Sequence, residues 1–280
     1  MGILVTGAGG LVGSALVRSG EVVGLTRAEL DITDEAAVAQ VIERLRPTAI
    51  INAAAQAGVD RADAEPKWTH KVNGTAPAAL AEQARDRGIR LIHLSTDYVL
   101  DAPDLERISE TVEPCPCSTY ARSKLQGEQG VLSAEGTVVR IQWVYSPEGN
   151  GFFNHALAKM AAGESVRLVT DQIGCPTPAE LLAPALLTIA RGEASGLFHL
   201  ATQGEATAHE WIAAGAQAAG IPLLAQTASR RDFEGAHRPA RSVLDSTKAE
   251  AAFGIRLPHW HDALQTVMAS GDRMNDGAVI

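Results

Sequence analysis

Long apolar runs are missing from this sequence. No stretch reaches the roughly 18 residues that a membrane-spanning helix needs, so no membrane span is expected. An excess of basic residues is missing as well. The 24 Lys and Arg are outnumbered by 33 Asp and Glu, and the formal net charge of −9 argues against non-specific nucleic-acid binding. That balance still permits an anionic substrate in a local cationic pocket. Cysteine is scarce: Cys115 and Cys117 flank Pro116, and Cys175 stands alone. An odd count without metal-ligand spacing fits reduced thiols of the cytoplasm and predicts no metal site. Internal repeats and low-complexity linkers are absent too. An apolar strand is read at the very start of the sequence, so no secretory leader is expected. What remains is a 280-residue chain of ordinary hydrophobic content, 46%, enough for one large domain or two small ones.

The most informative stretch is Thr6-Gly7-Ala8-Gly9-Gly10-Leu11-Val12-Gly13. Ile3-Leu4-Val5 before it reads as a buried strand, and Leu11 to Val17 after it has helical spacing. Strand, glycine turn and helix form the context of a dinucleotide fingerprint, here spaced G-x-x-G-x-x-G. Gly7 allows the tight turn, Gly10 lets the backbone approach a pyrophosphate, and Gly13 lets the helix pack on the strand. The helix N-terminus then faces the phosphates.

Strand and helix signals alternate five times through Ile141. Strands are expected at Glu21–Leu25, Ala49–Asn52, Ile89–Ser95 and Thr137–Ile141. Thr33 or Asp34 caps a helix that runs to about Leu45. A long helical stretch follows Val59, is interrupted at Val72-Asn73-Gly74-Thr75, and stops at Gly88. Residues 101–116 read as a polar loop of the length typical of lids and substrate loops. The alternation predicts an α/β fold with a doubly wound parallel sheet. After Trp143 the rhythm breaks into a smaller lobe. The expected division is a nucleotide-binding domain over 1–145, with returns near 165–205, and a substrate lobe over 146–280. The tail after Ser270 is expected to fray.

At the end of the second strand Thr26-Arg27 replaces the acid that often binds a ribose 2′-hydroxyl. Arg27 either meets a 2′-phosphate, which favours NADPH over NADH, or is a solvated loop residue. Asp31, Ile32, Ala53, Ala55 and Ala57 complete the predicted cofactor contacts. Tyr120 and Lys124 are four apart and share a helix face. A Tyr hydroxyl there can give a proton to an oxygen that becomes alkoxide as hydride arrives, and a nearby Lys ammonium would lower its pKa and hold the nicotinamide ribose. Thr96, at the end of the fourth strand, is placed to hydrogen-bond the same oxygen.

The chain resembles the extended short-chain dehydrogenase/reductases, and more narrowly the dTDP-4-dehydrorhamnose reductase family. TGAGGLVG at 6–13, INAAAQAGVD at 51–60, LSTDYVLD at 94–101 and YARSKLQGE at 120–128 carry the resemblance. So do WVY at 143–145, DQIGCPTPAELL at 171–182 and RPARSVLDSTKAEAAFGIRLPHW at 238–260. It implies a Rossmann-type fold and reduction of the C4 carbonyl of a nucleotide-linked 4-keto-6-deoxy sugar by NAD(P)H. Matched residue by residue, Tyr120 is the proton donor and Lys124 its partner. Thr96 and Asp97 contact the sugar near C4, and Gly10, Leu11, Val12, Ala55 and Ala57 touch the cofactor. Trp143 walls the sugar pocket or is a core aromatic. Arg238 meets the substrate diphosphate or makes a surface ion pair. A homodimer is a possible assembly.

Tyr98 stands where the related 4,6-dehydratases place an acid, which argues against a dehydratase. Ala121, Gln142 and Arg241 depart from the family pattern, and Gln142 puts the identity of the sugar in question. Two other readings stay open: a non-catalytic NADP-binding regulatory subunit, and a reductase of a non-sugar carbonyl or imine.

Overall fold

Side-chain alternation along the apolar strands builds a sheet with two buried faces. The computed structural model describes residues 2–102 and 104–275. Its central sheet is formed by β1 (Ile3–Thr6), β2 (Val22–Leu25), β3 (Ala49–Asn52), β4 (Arg90–Thr96), β5 (Thr137–Ile141) and, late in the chain, the strand Gly196–His199. All pairings in it are parallel. Between the first strands lie α1 (Leu11–Arg18), α2 (Glu35–Leu45), α3 (Val59–Ala64), α4 (Pro66–His70) and α5 (Ala76–Arg85); α6 (Thr119–Ser133) precedes β5.

Ile3, Val5, Ile51, Ile92, Leu94 and Val139 point to one face, where they meet Val12 and Leu16 of α1 and the apolar side of a later helix. Leu4, Ile50, Leu91 and Val138 point to the other, where α2, α5 and α6 cover them. A period of two on strands, met by helices on both sides, is what makes the sheet doubly wound. Asp34 caps α2 by accepting from Ala37 N at 3.0 Å, and Ser118 caps α6 by accepting from Ala121 N at 3.2 Å.

The remaining chain holds β6 (Val144–Tyr145), α7 (Phe152–Ala161), β7 (Val166–Val169), β8 (Ile173–Gly174), β9 (Thr177–Pro178), α8 (Ala179–Arg191), β10 (Gly196–His199), β11 (Ala206–Thr207), α9 (Ala208–Ala218), β12 (Ala225–Ala228), α10 (Thr247–Phe253) and α11 (Trp260–Asn275). The central sheet runs β2-β1-β3-β4-β5-β10, so the connection reverses direction between β1 and β3. That switch opens a crevice at the carboxyl ends of these two strands. α8 is the later helix that covers the first sheet face. Tyr145, Phe153, Trp211, Trp260 and Leu264 form a second apolar core under α7, α9 and α11. No helix among the described residues is long and apolar enough to cross a membrane.

Three expectations need correction. Val72 to Thr75 does not break the helix: residues 71–75 form a π-helical turn that joins α4 to α5. The segment 101–116 is no free lid. Ile108 is buried in it, its N–H donates to Val243 O at 2.8 Å, and its carbonyl accepts from Asp245 N at 2.9 Å. Helical backbone continues past Ser270 to Asn275, and the expected fraying beyond that falls on 276–280, outside the described residues.

Candidate active site

The glycine turn sits in the crevice between β1 and β3. Gly7 has φ +71°, and a Cβ there would stand 2.6 Å from Ala54 Cα. A Cβ on Gly13 would stand 2.2 Å from Gly7 O, so α1 can only approach the turn with glycine at that position. Gly10 is different. A Cβ there would meet its nearest protein atom, Gly7 O, at a tolerable 3.4 Å. The protein's own packing therefore does not demand glycine at 10, whereas close approach of a ligand does.

A pocket of about 470 Å³ opens beside the turn, lined by Gly7, Gly10, Arg27, Asp31, Ile32, Ala53, Ala55 and Ala57. Arg27 stands at its rim with its guanidinium 4.8 Å over the Trp68 ring and its Nε 3.6 Å from Asp31. Its side chain is 68% exposed, which leaves it free to meet an anion. Leu11, Val12 and Gly13 do not line the pocket, and the Val12 side chain packs into the core. These three can serve an anion only through the unpaired N–H groups of the first helical turn. Small residues, open helix-end donors and a cation at the far end fit a dinucleotide phosphate.

Thr96, Asp97 and Tyr98 follow at the carboxyl end of β4. Thr96 Oγ1 accepts from Tyr98 N at 3.2 Å and donates to Asp97 Oδ1 at 3.2 Å. Tyr98 and Tyr120 meet edge to face, with ring centroids 5.9 Å apart. Burial pushes the Tyr120 phenol up to about 12, against hydrogen bonding with Thr96 and with help from Asp97. The expected lowering by Lys124 does not occur. Lys124 is buried and turned to the sheet, where its Nζ donates to Leu94 O at 2.7 Å. Burial brings Lys124 down to about 8, with Glu128 pulling it back upward. Tyr120 is thus held protonated at neutral pH, the state a proton donor needs.

Lys124 ends a buried polar chain that begins at the glycine turn. Thr6 Oγ1 donates to Asn52 Oδ1 at 2.7 Å, as does Ala54 N at 3.2 Å. This fixes the amide so that Asn52 Nδ2 donates to His93 Nδ1 at 3.1 Å. The His93 hydrogen then lies on Nε2, 3.3 Å from Lys124 Nζ. Burial first, and Lys124 next, hold His93 well below its usual pKa, so it is neutral.

The helix bearing Tyr120 is positioned by the π-helical turn. Asn73 Nδ2 donates to Ser123 Oγ at 3.1 Å and to Gln56 O at 2.9 Å, while its Oδ1 accepts from Gln56 N at 2.8 Å. A Cβ on Gly127 would stand 2.2 Å from Asn73 O, so α6 rests directly on the turn.

Asp97 is not open to a ligand. It is 2% exposed, and Oδ2 accepts from Ser242 Oγ at 2.6 Å and from Gln142 Nε2 at 3.3 Å. Gln142 also donates to Ser242 O. Asp97 and Gln142, two of the residues expected near the sugar, are thus tied into one clamp. Burial pushes Asp97 up to about 7 against those hydrogen bonds.

A larger cavity of about 680 Å³ lies beyond Tyr98. Trp143 forms part of its wall and also packs on Trp211 at 5.8 Å, so it is both pocket and core. Its φ of +40° is strained for a bulky side chain. Arg167, Arg230, Arg231 and Arg238 give this cavity a cationic rim. Arg238 pairs with Asp60 at 2.7 Å. The rim loop is pinned by aspartates from separate segments. Asp171 accepts from Ser229 Oγ and Arg230 N, Asp60 from Ala236 N, and Asp101 from His237 Nε2.

Sequence reading missed Arg61 and Trp68 at the smaller pocket, the Asn73 and His93 supports, and three of the four rim arginines. The Arg230-Arg231 pair was the only local signal for the rim.

A family model described as RmlD substrate binding domain matches residues 1–272. The dTDP-4-dehydrorhamnose reductase of Sinorhizobium fredii is 35% identical over 289 residues, 96% of this chain and 97% of that protein. The dTDP-4-keto-6-deoxy-D-glucose reductase of Streptomyces niveus is 37% identical over 271 residues, 93% of this chain and 94% of that protein. Among solved structures, a dTDP-4-dehydrorhamnose reductase from Clostridium acetobutylicum superimposes with a TM-score of 0.92 at 29% identity, covering 97% of this chain and 100% of that one. A Bacillus anthracis dTDP-4-dehydrorhamnose reductase in complex with NADP gives 0.91 at 27% identity, covering 96% and 100%.

Proposed function

The chain belongs to the dTDP-4-dehydrorhamnose reductase family, within the extended short-chain dehydrogenases/reductases, and on that premise we propose that it is an NAD(P)H-dependent 4-ketoreductase of dTDP-linked 4-keto-6-deoxy sugars. The observation that carries this reading is the meeting of Tyr120 with Tyr98, which lines the arginine-rimmed cavity, in a chain that also holds the glycine-turn pocket.

Residues 1–145, with the returns that include α8 and β10, bind the dinucleotide, and residues 146–280 supply most of the sugar-nucleotide site. The N–H groups of Leu11 to Gly13 face the pyrophosphate, Gly7 and Gly10 leave room for it, and Arg27 favours a 2′-phosphate. Asp31, Ile32, Ala53, Ala55 and Ala57 wall the adenosine side. NAD(P)H, when bound, supplies the hydride. Tyr120 gives its phenolic proton to the oxygen formed at C4, and Thr96 holds that oxygen by turning its hydroxyl hydrogen from Asp97 Oδ1 to it. Lys124, fixed by Leu94 O, keeps a cation beneath the site. Asp97 acts through its clamp with Gln142 and Ser242 by holding Thr96 in place. Trp143 walls the sugar, and Arg238, Arg230 and Arg231 face the diphosphate.

The test is NADPH oxidation with dTDP-4-keto-6-deoxyhexose, with and without a 3,5-epimerase. Consumption in either cuvette is expected, and dependence on the epimerase would identify an L-sugar product. Tyr120→Phe should lower turnover by roughly 10²–10⁴-fold with NADPH affinity unchanged. No consumption in either cuvette, with NADPH bound, would refute the reading.

A further inference from the structure

Three side chains of different metal-ligand type converge outside the catalytic groups. Asp101 follows the turn at the end of β4, Cys117 immediately precedes Ser118, the cap of α6, and His237 lies on the cavity's rim loop. One ligand atom from each lies within 4.8 Å of the other two. His237 Nε2 already stands 2.8 Å from Asp101 Oδ2. We propose that Asp101, Cys117 and His237 bind one Zn²⁺ ion that clips the rim loop to the start of the Tyr120 helix.

Zinc bonds of about 2.0–2.3 Å to nitrogen, oxygen and sulfur imply tetrahedral edges of roughly 3.3–3.8 Å. Cys117 and His237 are exposed and Asp101 is half-buried, so the set closes on a metal by side-chain shifts of about 1 Å. Thiolate with imidazole selects a borderline-soft cation over Mg²⁺ or Ca²⁺. Coordination exchanges the Cys117 S–H bond for S–Zn and releases that proton to solvent. Three protein ligands leave the fourth position to water. His237 is next to Arg238, and Asp60 holds the neighbouring Ala236 N–H and the Arg238 guanidinium from the opposite side. The metal would therefore fix the loop at its second edge and set how firmly Arg238 is presented to the cavity.

The full chain, reduced and stripped with a chelator, is titrated with Co²⁺ and then with Zn²⁺. A near-ultraviolet thiolate-to-cobalt absorption band at one equivalent, bleached by Zn²⁺, is expected. Cys117→Ser should abolish the band and Cys115→Ser should keep it. His237→Ala and Asp101→Asn should each weaken Co²⁺ binding by about tenfold or more. Circular dichroism checks that each variant is folded. A missing band, a band that survives Cys117→Ser, or an affinity unchanged by His237→Ala would overturn the proposal. In the last case the two neighbouring thiols, and no bridge to the loop, would be the binding element. None of these readouts depends on reductase activity.

Discussion

Asp97 provides the sharpest quantitative test of the site as built. Burial pushes its carboxyl from 3.8 to about 7, although Ser242, Thr96 and Gln142 all donate toward it or restrain it. The sign follows from proton binding. Below about pH 4 the folded and unfolded chains both carry the proton. Between about 4 and 7 the unfolded chain releases it while the folded chain keeps it, so stability falls as pH rises. Above 7 both are ionised and the loss is complete. A shift of about 3 units corresponds to roughly 4 kcal/mol, an order-of-magnitude ceiling. Asp97→Asn removes this ionisation and keeps the side chain's shape. Urea unfolding of both proteins at intervals from pH 4 to 8 gives the difference curve. His93 and His199, held neutral by burial, push stability the other way over part of this range, but they do so in both proteins and cancel. The variant should gain on the native chain by up to about 4 kcal/mol across the window, most of it between pH 5 and 7. A flat difference curve would show that Asp97 is not buried in the clamp described.

The remaining predictions separate packing from ligand binding. Gly13→Ala should lower the melting temperature, because its Cβ would stand 2.2 Å from Gly7 O. Gly10→Ala should leave melting unchanged and weaken NADPH, because 3.4 Å is tolerable inside the protein. Equal loss of stability in both would contradict the assignment of Gly10 to the ligand. Arg27→Ala should weaken NADPH by about tenfold, the equivalent of roughly 1.4 kcal/mol, and leave NADH nearly unaffected in fluorescence titrations. An equal effect on both cofactors would exclude a 2′-phosphate contact. Glu128→Ala should cost about 3–5 kcal/mol in urea unfolding, since it strands Arg140. That guanidinium is 1% exposed and bound to both Glu128 oxygens at 2.9 and 2.7 Å. A loss below 1 kcal/mol would mean that water reaches Arg140.

The sheet was legible because its signal is local. Ile3 to Thr6, Ala49 to Asn52 and Thr137 to Ile141 are short apolar runs bounded by turn residues, and each is a central strand. The turn at 71–75 was misread for the opposite reason. Val, Asn, Gly and Thr are poor helix formers, so they read as a break. What keeps them helical is remote: Gly127 lets α6 rest on Asn73, and Asn73 bonds Gln56 and Ser123. The direction of the Tyr120 shift was misread because four-residue spacing places Lys124 on the same helix face but says nothing of where its long chain ends. Burial, which no spacing encodes, decides both groups. Asp101, Cys117 and His237 escaped notice as a set because a ligand spacing of 16 and then 120 residues matches no compact metal motif.

The two halves of the site rest on different kinds of support, and that bears on how its specificity can change. Gly7, Thr96, Tyr120 and Lys124 stand on strand ends and on one helix, locked by a buried chain from Thr6 to Lys124 and by Asn73. A substitution there meets backbone within 3 Å or strands a buried polar group, so it costs folding as well as chemistry. The cationic rim is carried by β7 and the loop after β12, and its surface is fixed mainly by exposed hydrogen bonds to Asp60, Asp101 and Asp171. Exposed bonds contribute little to stability, so rim residues can be exchanged at small cost to the fold. On the proposed reading, hydride and proton transfer would thereby be separated from recognition of the sugar nucleotide. Gln142 lies on the boundary. It precedes Trp143 and donates to Ser242 and Asp97, so on the proposed reading a substitution there would act on the sugar wall through the clamp and leave Tyr120 in place.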